Sequence, residues 1–125
     1  MKLTSGRPLN EIATACERIA SYCHPLSLER FKRETHWQDA IAMNFVVIGE
    51  ALSELRSHDP EVFHRIPNGP AYIGLRHRIA HGYRDIDSGR LWDFAGRDIP
   101  QLHVEAKALL EAYRGDFGYP EEAAP

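Results

Sequence analysis

Ten consecutive residues, Leu75-Arg76-His77-Arg78-Ile79-Ala80-His81-Gly82-Tyr83-Arg84, place three arginines, two histidines and a tyrosine together, with no carboxylate until Asp85. Histidine is the side chain that moves protons near neutral pH, with an ordinary pKa of about 6.5. Arginine carries a planar fork of donors that matches a phosphate gaining negative charge. Together the two suffice for RNA cleavage without a metal: the ribose 2′-hydroxyl attacks the neighbouring phosphate, protons are shuttled, and the extra charge on the phosphate oxygens is held. Only RNA brings that internal nucleophile. Arg76 and His81 are therefore the candidate catalytic pair. His77, Arg78 and Arg84 are candidates for contacts to RNA phosphates, and solvated charges otherwise. His77 and His81 are four apart, a spacing that also suits a metal. With no HExxH and no third ligand in view, neither metal nor cofactor is expected.

The bland readings stand beside these. A histidine at a helix C-terminus is favoured there by the helix dipole when charged. A tyrosine such as Tyr83 can sit at the edge of a core with its hydroxyl in water. Spacing poses a further problem, because at about 100° per residue Arg76 and His81 point about 140° apart. Either the long arginine curls round toward the helix end, or two copies of the motif face each other across a dimer. Arg76 and Tyr83 share a face only if the helical path persists through Gly82.

The elements that must position these groups all read as helices. Leu9, Ile12, Ala13, Cys16, Ile19, Ala20 and Cys23 form one apolar stripe, ended by His24-Pro25. Ser27 opens a short helix carrying Leu28 and Phe31. Thr35 and Gln38 read as a capping box ahead of a helix to about Arg56. That helix is apolar on so much of its surface, through Trp37, Ile41, Phe45, Ile48, Leu52 and Leu55, that it belongs at the centre of a bundle or at an interface. Glu50 lies within it beside Gly49. A carboxylate there is either a buried group needing a partner, able to orient Arg76 or His81, or a partly exposed one at the bundle edge. Asp59-Pro60 reads as an N-cap and first helical residue. A helix from about Ala71 to His81 turns Tyr72, Leu75 and Ile79 inward, and Gly82 is placed to stop it. Asp87 caps a last helical segment to about Tyr113, kinked or restarted at Pro100. No strand pair or repeat is evident. The expectation is an all-α, up-and-down bundle of about four main helices plus short helical turns, a domain over 1–114, and a flexible C-terminal tail over 115–125.

Composition bounds the partners. The 125 residues are 43% hydrophobic and 26% charged, with a formal net charge of −3. These are globular values, and any nucleic-acid contact must come from the local patch at 76–84. Cys16 and Cys23, seven apart on one helix, lie roughly 10 Å apart along its axis, too far to pair. No run approaches the ~18 apolar residues of a membrane span, and the N-terminus has no apolar run of signal-peptide length. A cytoplasmic location is expected.

Arg76, four residues, His81, one residue and Tyr83 give the form R-x4-H-x-Y. This resembles the signature of the HEPN ribonucleases, and with the tyrosine it resembles the HepT toxins. Ala40 to Leu52, with Ile48-Gly49-Glu50-Ala51, resembles their central helix. Asp85-Ile86-Asp87, Leu91-Trp92 and Ile99-Pro100-Gln101-Leu102 resemble the region after the motif. The likeness runs from about Leu9 to Leu110. Two positions depart from it: His77 stands where asparagine is common after the motif arginine, and Asn68 follows Pro67 where tryptophan is frequent. The resemblance implies a helical, HEPN-like bundle that forms a homodimer and brings two motifs together. It implies metal-independent endoribonuclease activity with Arg76 and His81 as catalytic pair, in the toxin component of a type VII-like toxin–antitoxin system. It also implies a minimal nucleotidyltransferase antitoxin, MntA-like, that silences the toxin by AMPylation of Tyr83. A rival reading is a non-catalytic helical module that holds a nucleotidyltransferase, nucleotide or RNA on the same basic patch. A plain assembly bundle is the third.

Overall fold

Apolar residues at steps of three and four dominate this chain, and it folds accordingly as helices on helices. The computed structural model describes residues 1–120. Seven α-helices follow in order among them: α1 (Gly6–Cys23), α2 (Leu28–Arg33), α3 (Thr35–His58), α4 (Pro60–His64), α5 (Gly69–Gly82), α6 (Ser88–Asp93) and α7 (Ile99–Phe117). Single 3-10 turns occupy Leu3–Ser5 and Tyr83–Asp85, and a π-helical turn spans Phe94–Asp98. No strand occurs among the described residues, and no helix there is long and apolar enough to cross a membrane.

The four long helices lie in the spatial order α5, α3, α1, α7. Each neighbouring pair runs antiparallel. Arg7 near the start of α1 meets Glu54 near the end of α3. Glu17 late in α1 meets His103 early in α7. Arg76 meets Glu50, and Tyr83, just past the end of α5, meets Asp39 early in α3. The bundle is thus up-and-down, as the pattern predicts.

Its core is a single cluster. Leu9, Ile12, Cys16 and Ile19 come from α1; Ile41, Phe45, Ile48, Leu52 and Leu55 from α3; Leu102, Ala106 and Leu110 from α7. Each large side chain buried this way contributes about 1.5–3 kcal/mol relative to an exposed one. Burial pushes the Cys16 thiol, with Glu17 beside it, up to about 12, so it behaves as a small apolar group. Ala20 is exposed, and Ala15 takes its expected place in the α1 stripe.

Three local details differ from the sequence reading. Thr35 is the first helical residue of α3 and does not cap it. Gln38 instead donates Nε2 to the carbonyls of Phe31 (2.7 Å) and Lys32 (3.1 Å), because α2 ends just before and leaves those acceptors open. Asp59 holds the N-cap position of α4, yet its carboxylate makes no side-chain cap there. It accepts from the Lys2 N–H (2.9 Å) and the Ser5 hydroxyl (2.6 Å) and ties the N-terminus to the end of α3. Pro100 marks the expected restart: it occupies the first turn of α7, where a missing N–H is harmless, and the π-helical turn before it joins α6 to the new helix. Finally, α7 continues through Gly115 to Phe117, past the expected boundary; of the expected tail, residues 121–125 lie outside the described residues.

Candidate functional site

Helix α5 owes its orientation to Tyr72 and Leu75, both buried, with Ile79 half-buried beneath them. Anchoring that stripe leaves Arg76, His77, Arg78 and His81 to the flanks and outer face. The flank toward α3 is unusually close. Gly49 has no side chain, and a Cβ built there would collide with the Cβ of Arg76. Arg76 consequently lies half-buried against α3. Its Nε is buried without a hydrogen-bond partner among the described residues. One terminal nitrogen reaches Glu50 Oε1 at a loose 3.4 Å. Glu50 itself is exposed, its side chain 61% accessible. Of the two alternatives for Glu50, the structure shows the exposed carboxylate at the bundle edge and not the buried one, with Arg76 as its neighbour. An exposed pair this long contributes at most about 1 kcal/mol, so the carboxylate steers the guanidinium without locking it.

Beyond Gly82 the helix stops, but not through a left-handed cap: Gly82 has φ −163°, extended backbone, and the chain swings into the Tyr83–Asp85 turn. The helical path does not persist, so Arg76 and Tyr83 do not share a face by helical periodicity. The turn carries Tyr83 toward α3 nonetheless, and its hydroxyl donates to Asp39 Oδ1 at 2.5 Å. Burial pushes the Tyr83 phenol up from its ordinary value, and the hydrogen bond and charge of Asp39 add to the shift. Asp39 lies 44 residues away, and nothing in its local sequence marks it as a partner of Tyr83.

On the opposite flank of α5 the two histidines come together, with ring centroids 4.4 Å apart and planes inclined by 50°. They open on a cleft of about 370 Å³. One wall is α5, through Leu75, His77, Arg78 and His81; the other is the turn from Gly82 to Asp87 and then Arg90, Leu91 and Phe94. The structure thus gathers His77, Arg78 and His81, and adds Arg90, Asp85 and Phe94, which the sequence reading passed over. Within one chain it does not bring Arg76 or Tyr83 to that cleft, and Arg84 is exposed outside it. The basic run is split in two by its own helix, as its 100° steps dictate. The cleft side offers two imidazoles and two guanidiniums to an anion. The α3 side offers Arg76 and the tyrosine hydroxyl.

A family model described as "Ribonuclease HepT-like" matches residues 12–109, which include the whole 76–84 segment. A protein of Methanocaldococcus jannaschii, whose name pairs a gamma-glutamylcyclotransferase with an RNase, is 28% identical over 82% of this chain, which spans only 46% of that protein. One from Caldanaerobacter subterraneus subsp. tengcongensis, named for an RNase, is 24% identical over 87% of this chain and 97% of its own. The "Probable ribonuclease HepT" of Thermococcus cleftensis is 27% identical over 87% of this chain and 98% of its own. No solved structure gives a significant match.

Proposed function

The chain belongs to the HepT-like ribonuclease family, and on that premise we propose that it is a metal-independent endoribonuclease of the toxin type, working in the cytoplasm through its R-x4-H segment. The observation that carries the reading is the convergence of His77, Arg78 and His81 on one open cleft at the end of α5, with Arg76 held one helix flank away. His81 is the general acid or base. It takes the proton of the 2′-hydroxyl as that oxygen attacks phosphorus, or returns one to the departing 5′-oxygen. Arg76 stabilises the charge that gathers on the phosphate oxygens. Proton transfer contributes on the order of 10²–10⁴-fold to rate, and charge stabilisation on the order of 10²–10³-fold. His77, Arg78 and Arg84 position phosphates through charge, and Glu50 holds Arg76 in place until phosphate displaces it.

A homodimer supplies what one chain lacks. Arg76 and His81 open on different flanks of α5, so a second copy of the motif facing the first completes each site. The face of α3 beside Arg76 supports that assembly: Met43 is 62% exposed there, and Val46 and Val47 are only half-buried. Such a surface is more apolar than a solvated helix face needs to be.

Tyr83 is the regulatory residue, modified by a minimal nucleotidyltransferase antitoxin of the type VII kind. In that step the phenol oxygen attacks the α-phosphorus of ATP, pyrophosphate leaves, and the phenol proton is given up. The proton now donated to Asp39 is lost, and a bulky anion takes its place beside the basic patch. The direct test is cleavage of total RNA by purified protein in excess EDTA, with intact mass verified beforehand to show Tyr83 unmodified. Cleavage by wild type and none by His81→Ala supports the reading. RNA binding of equal strength in both proteins, with no cleavage by either, replaces it with a non-catalytic binding module.

A further inference from the structure

The cleft beside His81 is larger and more apolar than proton transfer requires. We propose that it is a base-selecting subsite that receives the nucleobase next to the scissile phosphate and prefers guanine; the proposal rests on the ribonuclease reading and adds its specificity.

Four observations carry it. The first is size: about 370 Å³ lies at the lower end of small-ligand pockets and fits one nucleotide, not a folded RNA. The second is the wall. Leu75 and Leu91 are buried at its floor, and Phe94 lines it while packing edge-on against Phe45 (6.1 Å) and Tyr72 (5.7 Å). A ring fixed this way is a ready stacking platform, and single-stranded RNA is read by stacking unstacked bases on aromatic side chains. The third is local backbone. Phe94 opens the π-helical turn Phe94–Asp98, a departure from α-helix that frequently marks functional sites. The fourth is the charge order at the rim: Arg78 and Arg90 provide cations for flanking phosphates, while Asp85 and Asp87 are carboxylates in the same cleft.

The two carboxylates are not equivalent. Asp87 caps α6, its Oδ1 accepting from the Gly89 N–H at 2.8 Å, so that oxygen is committed. Asp85 is exposed and makes no hydrogen bond or ion pair through its side chain among the described residues, which leaves both oxygens free. A carboxylate accepts only; it matches a base edge that offers donors. Guanine presents two parallel N–H donors on its Watson–Crick edge, and one carboxylate accepts both. Cytosine and adenine offer an amino group beside an acceptor nitrogen. Uracil offers a single N–H between two carbonyl oxygens that a carboxylate repels. The expected order is guanine first and uracil last, with a good bidentate contact worth a discrimination of about tenfold or more.

Two readouts separate this proposal from the one beneath it. The first is the base adjacent to each cut, mapped by sequencing RNA ends after cleavage by wild type, Asp85→Asn and Phe94→Leu. The second is binding of guanosine and uridine monophosphates to wild type, Asp85→Asn and Phe94→Leu, followed by perturbation of the His77 and His81 NMR signals. The proposal expects cuts enriched beside guanine at least tenfold over uracil, guanosine monophosphate bound more tightly than the uridine form, and both preferences reduced at least fivefold in Asp85→Asn. Phe94→Leu, which keeps apolar volume, should weaken both nucleotides. Cleavage without base preference, or a preference that Asp85→Asn leaves intact, overturns the subsite while the nuclease stands. Guanosine selectivity through Asp85 in a protein that cuts no RNA keeps the binding cleft and overturns the nuclease.

Discussion

Gly49 on α3 lies directly beneath Arg76 on α5, so close that even a methyl group at 49 would collide with the arginine's own Cβ. That contact sets how near the two helices come, and with it how deeply the arginine stem is buried and where its guanidinium emerges. Gly49→Ala must therefore push α5 away, since no side-chain rotation moves a Cβ, a kind of overpacking that typically costs about 1–3 kcal/mol. Denaturant unfolding should show that loss. RNA cleavage should fall further than the loss of folded protein explains, because the displaced group is the one the proposed mechanism sets against the phosphate. An alanine variant with wild-type stability and turnover would show that the close approach is incidental.

Tyr83 offers a separable prediction, because the reading assigns it to silencing and not to chemistry. Its hydroxyl donates to Asp39 across 44 residues. Tyr83→Phe should cleave RNA within a few-fold of wild type, yet remain active after incubation with ATP and a HepT-partner nucleotidyltransferase that silences wild type. Intact mass should show AMP on wild type alone. A variant still modified and silenced would move the acceptor elsewhere.

Much of this architecture is legible in the sequence for a simple reason. Helices with a three–four apolar repeat, such as Leu9 to Ile19, carry their burial pattern locally. The wide stripe of α3 likewise announces a helix covered on several sides. What the sequence hides are long-range uses of polar side chains. Gln38 and Asp59 sit where capping rules put caps, but Gln38 answers to carbonyls of the preceding helix and Asp59 to the N-terminal segment. The same holds at the site. Periodicity gives the divergence of Arg76 and His81 correctly. It does not give Asp39, Asp85 or Phe94, whose approach depends on the turn after Gly82 and on the π-helical turn before α7.

Asp59 also predicts a pH dependence. Burial alone would raise its carboxyl, but the hydrogen bonds from Ser5 and Lys2 hold it below its ordinary value. A group with a lowered folded-state pKa binds its proton more readily when unfolded. Its contribution is therefore present above the ordinary value of about 3.9 and drains away as pH falls through the lower, folded-state value. Asp59→Asn should lose on the order of 1.5–3 kcal/mol near neutral pH, the range for hydrogen bonds to a charged group. The same variant should show a flatter decline of stability as pH falls below the ordinary carboxylate range. Parallel acid unfolding curves for the two proteins would contradict that assignment.

The central claim is that His81 performs proton transfer for RNA cleavage with no metal. The measurement that tests it most directly is single-turnover cleavage of a defined RNA in excess EDTA, comparing unmodified wild type with His81→Ala after circular dichroism has shown equal helicity. The account predicts cleavage by wild type, products ending in a 2′,3′-cyclic phosphate, and a loss of about 10²–10⁴-fold in the variant. Wild-type cleavage that vanishes with EDTA, or a His81→Ala variant that cuts at the wild-type rate, would contradict it.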